Sequence, residues 1–331
     1  MENKRNNNLD LIKIIACVAV VGLHTLNKDI SIYNAVLYYF CAFAVPVFFM
    51  SSGFILLNRN AINFDSCLRK IKNILLLILN WGGIIFVLKL VQDVLKRNLS
   101  FETIFYFFKT IIDSLIQKGM LWHFWYFGAL IIVYLCLFVL NNKKKELKKI
   151  WIFFLIIGII FQMWSYIIKV PIQSYCIQTF RIWTWLQYFI LGGIIGKNYT
   201  NKKINTNMLH FLIIMSVYIF YQRFIVTHVL REISAEYFYD SIITILFCSY
   251  IFYFIINLKL KNITINFVKK VAPLTMGIYI LHPIILSVSN KIIHVDCFFT
   301  AIIYFVSIFI ISAICSLIML KIPVVNKLIR L

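Results

Sequence analysis

An imidazole sits where an aliphatic side chain would cost nothing. His24, in the stretch "VGLHTLNKDI" (residues 21–30), lies in the last turns of an apolar run that begins at Leu11. An ionisable group inside such a run is expensive in hydrocarbon and by default marks a site. At about 1.5 Å per residue, His24 is about 20 Å along its helix. Lys13 lies eleven residues earlier. Eleven steps of about 100° return to nearly the same face, so the two groups share one polar stripe about three turns apart. Asp10 is three residues before Lys13 and is placed to pair with it. A neutral imidazole, with an ordinary pKa of about 6.5, can serve there as a catalytic base facing a cavity. The plainer reading is an interfacial histidine bonded to a carbonyl, and spacing alone leaves the two open.

Two other histidines sit at comparable height. His282, in "GIYILHPIIL", is about 16 Å into its apolar run. Pro283 follows it and frees a carbonyl in the preceding turn, which His282 can satisfy. His123, in "LWHFWYF", lies among aromatic residues of the kind that anchor a span at the headgroups. A structural role is the simpler reading for both. His210, His228 and His294 fall at run ends or in loops and read as surface residues. In "SCLRKIKNILLL" (66–77), Arg69 and Lys72 are three apart and share a helix face. A basic pair at a span mouth anchors topology, and it also attracts phosphate. No Ser-His-Asp arrangement is readable. Ser52-Gly53 reads as a close helix contact, not as a nucleophile.

The elements that must position these residues are membrane helices. Of the 331 residues 62% are hydrophobic, and the mean hydropathy is +0.89, more apolar surface than a soluble chain can hide. Apolar stretches near the ~20 residues needed to cross hydrocarbon recur along the chain. They are apolar on all faces, unlike the alternating strands of a barrel. The sequence predicts an all-α polytopic integral membrane protein, one domain over 1–331. Its ten spans fall at 11–27, 33–57, 74–91, 121–140, 150–168, 182–196, 208–226, 240–257, 272–289 and 298–320. The first carries a basic n-region but no cleavage site and reads as a retained span. Gly192, Gly193 and Gly196 permit close helix contact in the sixth. Residues 101–117 read as an interfacial amphipathic helix, not a further span.

The net charge of +21 is spread over short loops and forms no domain to grip a phosphate backbone, which excludes nucleic acid. Most of the 33 basic residues instead fall in alternate loops. Lys4, Arg5 and Lys13 begin the series, followed by Arg59, Arg69, Lys70 and Lys72, and then by the lysines of "NNKKKELKK". Lys197, Lys202 and Lys203 continue it, as do Lys259, Lys261, Lys269 and Lys270, and finally Lys321, Lys327 and Arg330. The positive-inside rule then puts both termini in the cytoplasm. The eight cysteines include no CxxC pair and mostly lie in spans as small core residues. Cys176 and Cys297 fall in outer loops and are placed where they could pair.

Taken in order, several segments resemble the family-3 membrane acyltransferases, ten-span enzymes that O-acylate bacterial surface polysaccharides and related glycans. "NNLDLIKIIACVAVVGLH" resembles the family's first span: a basic residue, ten intervening residues, then histidine. Lys13 stands where arginine is commoner. "VPVFFMSSGFIL" resembles the second-span signature, and "RKIKNILLL" the basic pair before span 3, with Lys72 in place of the usual second arginine. "LWHFWYFGALIIVYL", "YFILGGIIG" and "MGIYILHPIIL" also resemble family segments. With no appended esterase-like domain, the chain is similar to the stand-alone members.

The resemblance implies an acyltransferase, most simply an O-acetyltransferase, in a bacterial plasma membrane. Cytoplasmic acyl-CoA would be its donor substrate and a sugar hydroxyl of a surface or lipid-linked polysaccharide its acceptor. No permanently bound cofactor and no metal is implied. His24 is then the expected catalytic base, with Lys13, Arg69 and Lys72 around the CoA phosphates. His123, Arg181 and His282 are the expected acceptor-site or supporting residues. A transporter is the competing reading, but coupled transporters show paired acids in mid-span and inverted repeats. Here the acids lie in or near loops and no repeat is readable. A non-catalytic scaffold would not need intramembrane histidines.

Overall fold

The computed structural model describes residues 5–59, 64–199, 207–231 and 234–330. Helix makes up 82% of it, and no strand occurs among the described residues. Lys4, Lys202 and Lys203, counted above with the inner loops, lie outside them.

Helix α1 (Asn7–Thr25) starts where Asn6 caps it, its side chain accepting from the Leu9 N–H. One residue inside, the Asn8 amide donates to the carbonyls of Ile255, Ile256 and Leu258. Those carbonyls lie at and just beyond the end of α11 (Ile242–Ile256), where a helix leaves carbonyls without intrahelical donors. Helix α1 is therefore locked into the bundle at the end that carries Lys13.

The expected second span is two helices, α2 (Ile32–Cys41) and α3 (Ala44–Leu56). Pro46 cannot donate to the carbonyl four residues back, and the chain turns at 42–43, where that carbonyl lies. Helix α4 (Phe64–Leu95) follows, then α5 (Phe101–Leu115), α6 (Trp125–Asn142), α7 (Leu147–Ile168) and α8 (Ile182–Asn198). Next come α9 (Met208–Phe220), a wide π-helical turn at Tyr221–Val226, and α10 (Thr227–Leu230), then α11. Helix α12 (Asn262–Val271) continues through a short turn at Pro273 into α13 (Thr275–Ser289), and α14 (Phe298–Lys321) closes the bundle.

Helices occur at all ten expected positions. Eight segments among the described residues are long and apolar enough to cross a membrane. The sixth and eighth positions hold α8 and α11, of 17 and 15 residues, at or under the short limit for a span. Helix α8 lies inside the bundle, with Trp185, Tyr188 and Phe189 almost wholly buried. Its partner is α3. A Cβ on Gly53 would fall on the Phe189 carbonyl, and one on Gly192 on the Met50 carbonyl, so the two backbones touch. The indole of Trp185 stacks on Phe49 at 4.8 Å. Helix α1 is also interior, touching α2, α3, α11, α13 and α14. By contrast α7 and α14 expose Ile167, Ile303 and other large apolar side chains, as lipid-facing helices do.

Helix α5 is not among the segments long and apolar enough to cross a membrane, and it packs on α4. Gly82 and Phe86 of α4 face Ile111 and Phe107. Farther along α4, Asp93 accepts from Thr103 at 2.8 Å. Helix α5 thus runs back antiparallel along α4 and delivers the chain to Trp122 and His123 inside the bundle. Cys176 and Cys297 are free thiols, so the pairing considered from sequence is not formed.

Candidate active site

Three histidines from three separate helices converge. His24 is on α1, His123 on the turn that opens α6, and His282 on α13. The rings of His24 and His282 stack with centroids 5.5 Å apart and planes 19° apart. His123 lies 6.1 Å from His282, and Trp122 meets His24 edge-on at 4.7 Å. The other three histidines, His210, His228 and His294, are exposed, as expected.

The three rings are held differently. His282 is fully buried, and its Nδ1 lies 3.0 Å from the Ile278 carbonyl. A carbonyl only accepts, so Nδ1 carries the proton and the neutral ring keeps its lone pair on Nε2. The carbonyl it meets is one residue before that of Tyr279, which Pro283 frees, and the bond occupies only one nitrogen. Nε2 is buried without a partner among the described residues, and so are both nitrogens of His123. Buried polar atoms normally find partners, and a cluster left short of them is set up for a polar ligand. His24 is half-buried and opens on a cavity of about 260 Å³, whose wall includes His123, Trp122, Tyr38, Gln178 and Glu236. His282 lies behind His24, out of the cavity wall. Among the described residues no group of three or more His, Cys, Asp or Glu side chains is placed to hold a metal ion.

Lys13 opens on a second cavity, of about 430 Å³, at the other end of α1. Arg5, Arg59 and Lys70 join it there, with Ser51, Ser52 and Tyr134 deeper in. Asp10 lies 4.0 Å from the Lys13 ammonium and also pairs with Arg5. The expected Arg69–Lys72 pair is not brought to Lys13. Both residues are exposed and line a separate depression along α4. On a helix Lys70 points about 100° from Arg69 and nearly opposite Lys72, so only one of the two faces can turn inward. The face that does carries Lys70, whose ammonium lies 6.0 Å from the centre of the Tyr134 ring.

Tyr279 is common to both cavities. Its ring packs 5.5 Å from Phe127 and 5.6 Å from His123, and its hydroxyl donates to the His123 carbonyl. Among the described residues Tyr279 is the one side chain that lines both the basic cavity and the histidine cavity. Sequence reading did not single it out, though it lies three residues before His282.

Arg181 does not line the histidine cavity. It is buried, donating from Nε to the Cys176 carbonyl at 3.0 Å and from Nη1 to the Glu236 carbonyl at 2.9 Å. It holds in place the loop that brings Glu236 to the cavity, and Gln178 donates to the Glu236 carboxylate. Glu236 and Gln178 were missed because nothing in a loop's sequence says which cavity it covers. Asp240, also near, is a structural acid: Gln173, Trp183 and Thr184 all donate to it, at 3.1, 3.0 and 2.6 Å.

A family model described as an acyltransferase domain matches residues 6–321. No curated protein and no solved structure matches the chain.

Proposed function

The chain belongs to acyltransferase family 3, and we propose that within it the protein moves an acyl group, most simply acetyl, from acyl-CoA to a sugar hydroxyl. The observation that carries this reading is Tyr279, the common wall of a basic cavity and a histidine cavity at opposite ends of α1. A donor with phosphates suits the first, where Arg5, Lys13, Arg59 and Lys70 gather. A ligand rich in hydroxyls suits the second, where His123 has two buried nitrogens without partners.

In this reading the donor enters from the cytoplasm and its thioester reaches the Tyr279 wall. The acceptor hydroxyl lies against His24. As its oxygen bonds to the acyl carbon, His24 takes the hydroxyl proton, the C–S bond breaks, and the proton passes to the departing CoA thiolate. The products are the acyl ester and CoA-SH. His282 backs the His24 ring, and Lys13 with its neighbours holds the phosphates, Arg69 and Lys72 serving as an outer basic approach. The same reading counts α8 and α11 as spans, giving ten, with both termini in the cytoplasm of a bacterial plasma membrane. The acceptor is a surface polysaccharide or its lipid-linked precursor.

The test is transfer itself. Purified protein in sealed vesicles receives radiolabelled acetyl-CoA on one side and candidate glycans on the other. Label recovered as an alkali-labile glycan ester supports the reading. Movement of unmodified glycan or of a small solute, with no ester formed, would favour the transporter instead.

A further inference from the structure

A third cavity, of about 450 Å³, has chemistry that acyl transfer as described leaves unused. Its wall carries Lys28, Arg223 and Arg231, with Asp29, Ser31 and Thr227. Among the described residues of the wall, three cations face one carboxylate. No ion pair to Lys28, Arg223 or Arg231 occurs among the described residues, and the Nε of Arg223 is buried there without a hydrogen-bond partner.

The backbone around it is unusual in two places. Arg223 projects from the π-helical turn Tyr221–Val226, a widened turn of the kind that recurs at functional sites because it re-aims a side chain. Arg231 has a φ of 51°, the left-handed region that non-glycine residues enter at a cost. The position along the bundle is unusual too. Basic residues concentrate at the cytoplasmic end of such a protein, yet this group lies at the histidine end, beyond the end of α1.

The cavity adjoins the histidine cavity. Lys28 is four residues beyond His24, and its ammonium sits 5.2 Å from the centre of the Tyr38 ring. Tyr38 is itself part of the histidine cavity wall, and its hydroxyl accepts from the Ala235 N–H at 3.3 Å. A ligand with an anionic group and a sugar hydroxyl could therefore span the two cavities. Two guanidinium groups and an ammonium suit an anion with several oxygens, which a phosphate ester supplies and a neutral sugar does not.

We propose that this cavity binds a phosphate ester group, and that the acceptor is a phosphate-bearing glycan whose reacting hydroxyl lies against His24. The phosphate site stands on its own geometry, whereas its assignment to the acceptor rests on the acyl-transfer reading. A phospholipid headgroup carries the same chemistry and is the other source.

Direct binding tests the site without any acyl transfer. The full-length protein in neutral maltoside micelles is titrated with glucose 1-phosphate, with glucose, and with dioctanoyl phosphatidylglycerol. Glucose 1-phosphate should bind at least tenfold more tightly than glucose and should weaken with added salt. Arg223→Gln with Arg231→Gln should raise its Kd at least tenfold. Arg223→Lys with Arg231→Lys should keep most of the affinity, which separates lost charge from lost fold. Tighter binding of the sugar phosphate than of the phosphatidylglycerol supports the acceptor assignment. The reverse order keeps the phosphate site and overturns that assignment. If glucose 1-phosphate and phosphatidylglycerol both bind no better than glucose, or bind the Gln double variant equally well while it melts like wild type, the site is overturned. Binding of glucose 1-phosphate by wild-type protein that transfers no acyl group to any glycan keeps this site and overturns the acyl-transfer reading, together with the acceptor assignment that rests on it.

Discussion

The rings of His24 and His282 stack 5.5 Å apart, one on the first helix and one on the thirteenth. His282 is fixed by its bond to the Ile278 carbonyl and stays behind His24, which alone of the pair opens on the cavity. The arrangement divides labour. A buried ring of fixed tautomer holds the orientation of a half-buried ring that can meet a ligand.

Tyr279 borders both cavities, and its ring and its hydroxyl can be tested apart by mutation. Tyr279→Phe loses only the bond to the His123 carbonyl, worth about 1 kcal/mol. Its preference between acetyl-CoA and butyryl-CoA should stay as in wild type. Tyr279→Ala removes the ring and opens one cavity to the other, so the butyryl-to-acetyl rate ratio should rise about tenfold. An unchanged ratio in the alanine variant would remove Tyr279 as the partition.

The proposal that the basic cavity holds the donor predicts an order among basic residues. Arg59→Gln with Lys70→Gln should raise the Kd for acetyl-CoA at least tenfold, since each hydrogen bond to a charged group is worth ~1.5–3 kcal/mol. Arg69→Gln with Lys72→Gln, on the exposed face of α4, should raise it less. Titration of the donor into each variant decides, and the opposite order would return the donor site to the exposed face.

The contact of α3 with α8 predicts an asymmetry among glycines. Gly53→Ala and Gly192→Ala each push a methyl group onto a backbone carbonyl, and should destabilise by about 1–3 kcal/mol or more. Gly83, in α4, has nothing within 4 Å of a new Cβ, and Gly83→Ala should be neutral or stabilising by up to about 1 kcal/mol. Thermal melts in detergent compare the three.

Cys297 reports orientation. It is exposed at the start of α14, and hydrogen bonds from the Thr300 side chain and backbone draw its thiol below the ordinary value, which favours the reactive thiolate. With both termini cytoplasmic, a membrane-impermeant maleimide should label Cys297 in intact cells, and Cys297→Ser should remove that label. Labelling only after permeabilisation would reverse the orientation.

The helices were legible because an apolar run of span length has few other uses in a chain so hydrophobic. The break between α2 and α3 was not, although Pro46 marks it, because a proline in the middle of a membrane span is equally compatible with a continuous, kinked helix. Spacing put Lys13 and His24 on one stripe, and the structure opens them on different cavities at the two ends of it. For Arg69 and Lys72 spacing gave a shared face but not its direction, and the inward face carries Lys70 instead. The meeting of His24, His123 and His282 depends on how distant helices pack, as does the arrival of Glu236, and local sequence carries no sign of either.

The central claim is that His24 is the base. His24→Gln keeps a hydrogen-bonding side chain of similar size but cannot take the proton near neutral pH. Acetyl transfer from radiolabelled acetyl-CoA to the glycan should fall by about 10²–10⁴-fold, with the donor Kd and the melting temperature unchanged, while His282→Gln should lose far less. Full transfer by the His24→Gln protein would contradict the account and leave His24 as packing between Trp122 and His282.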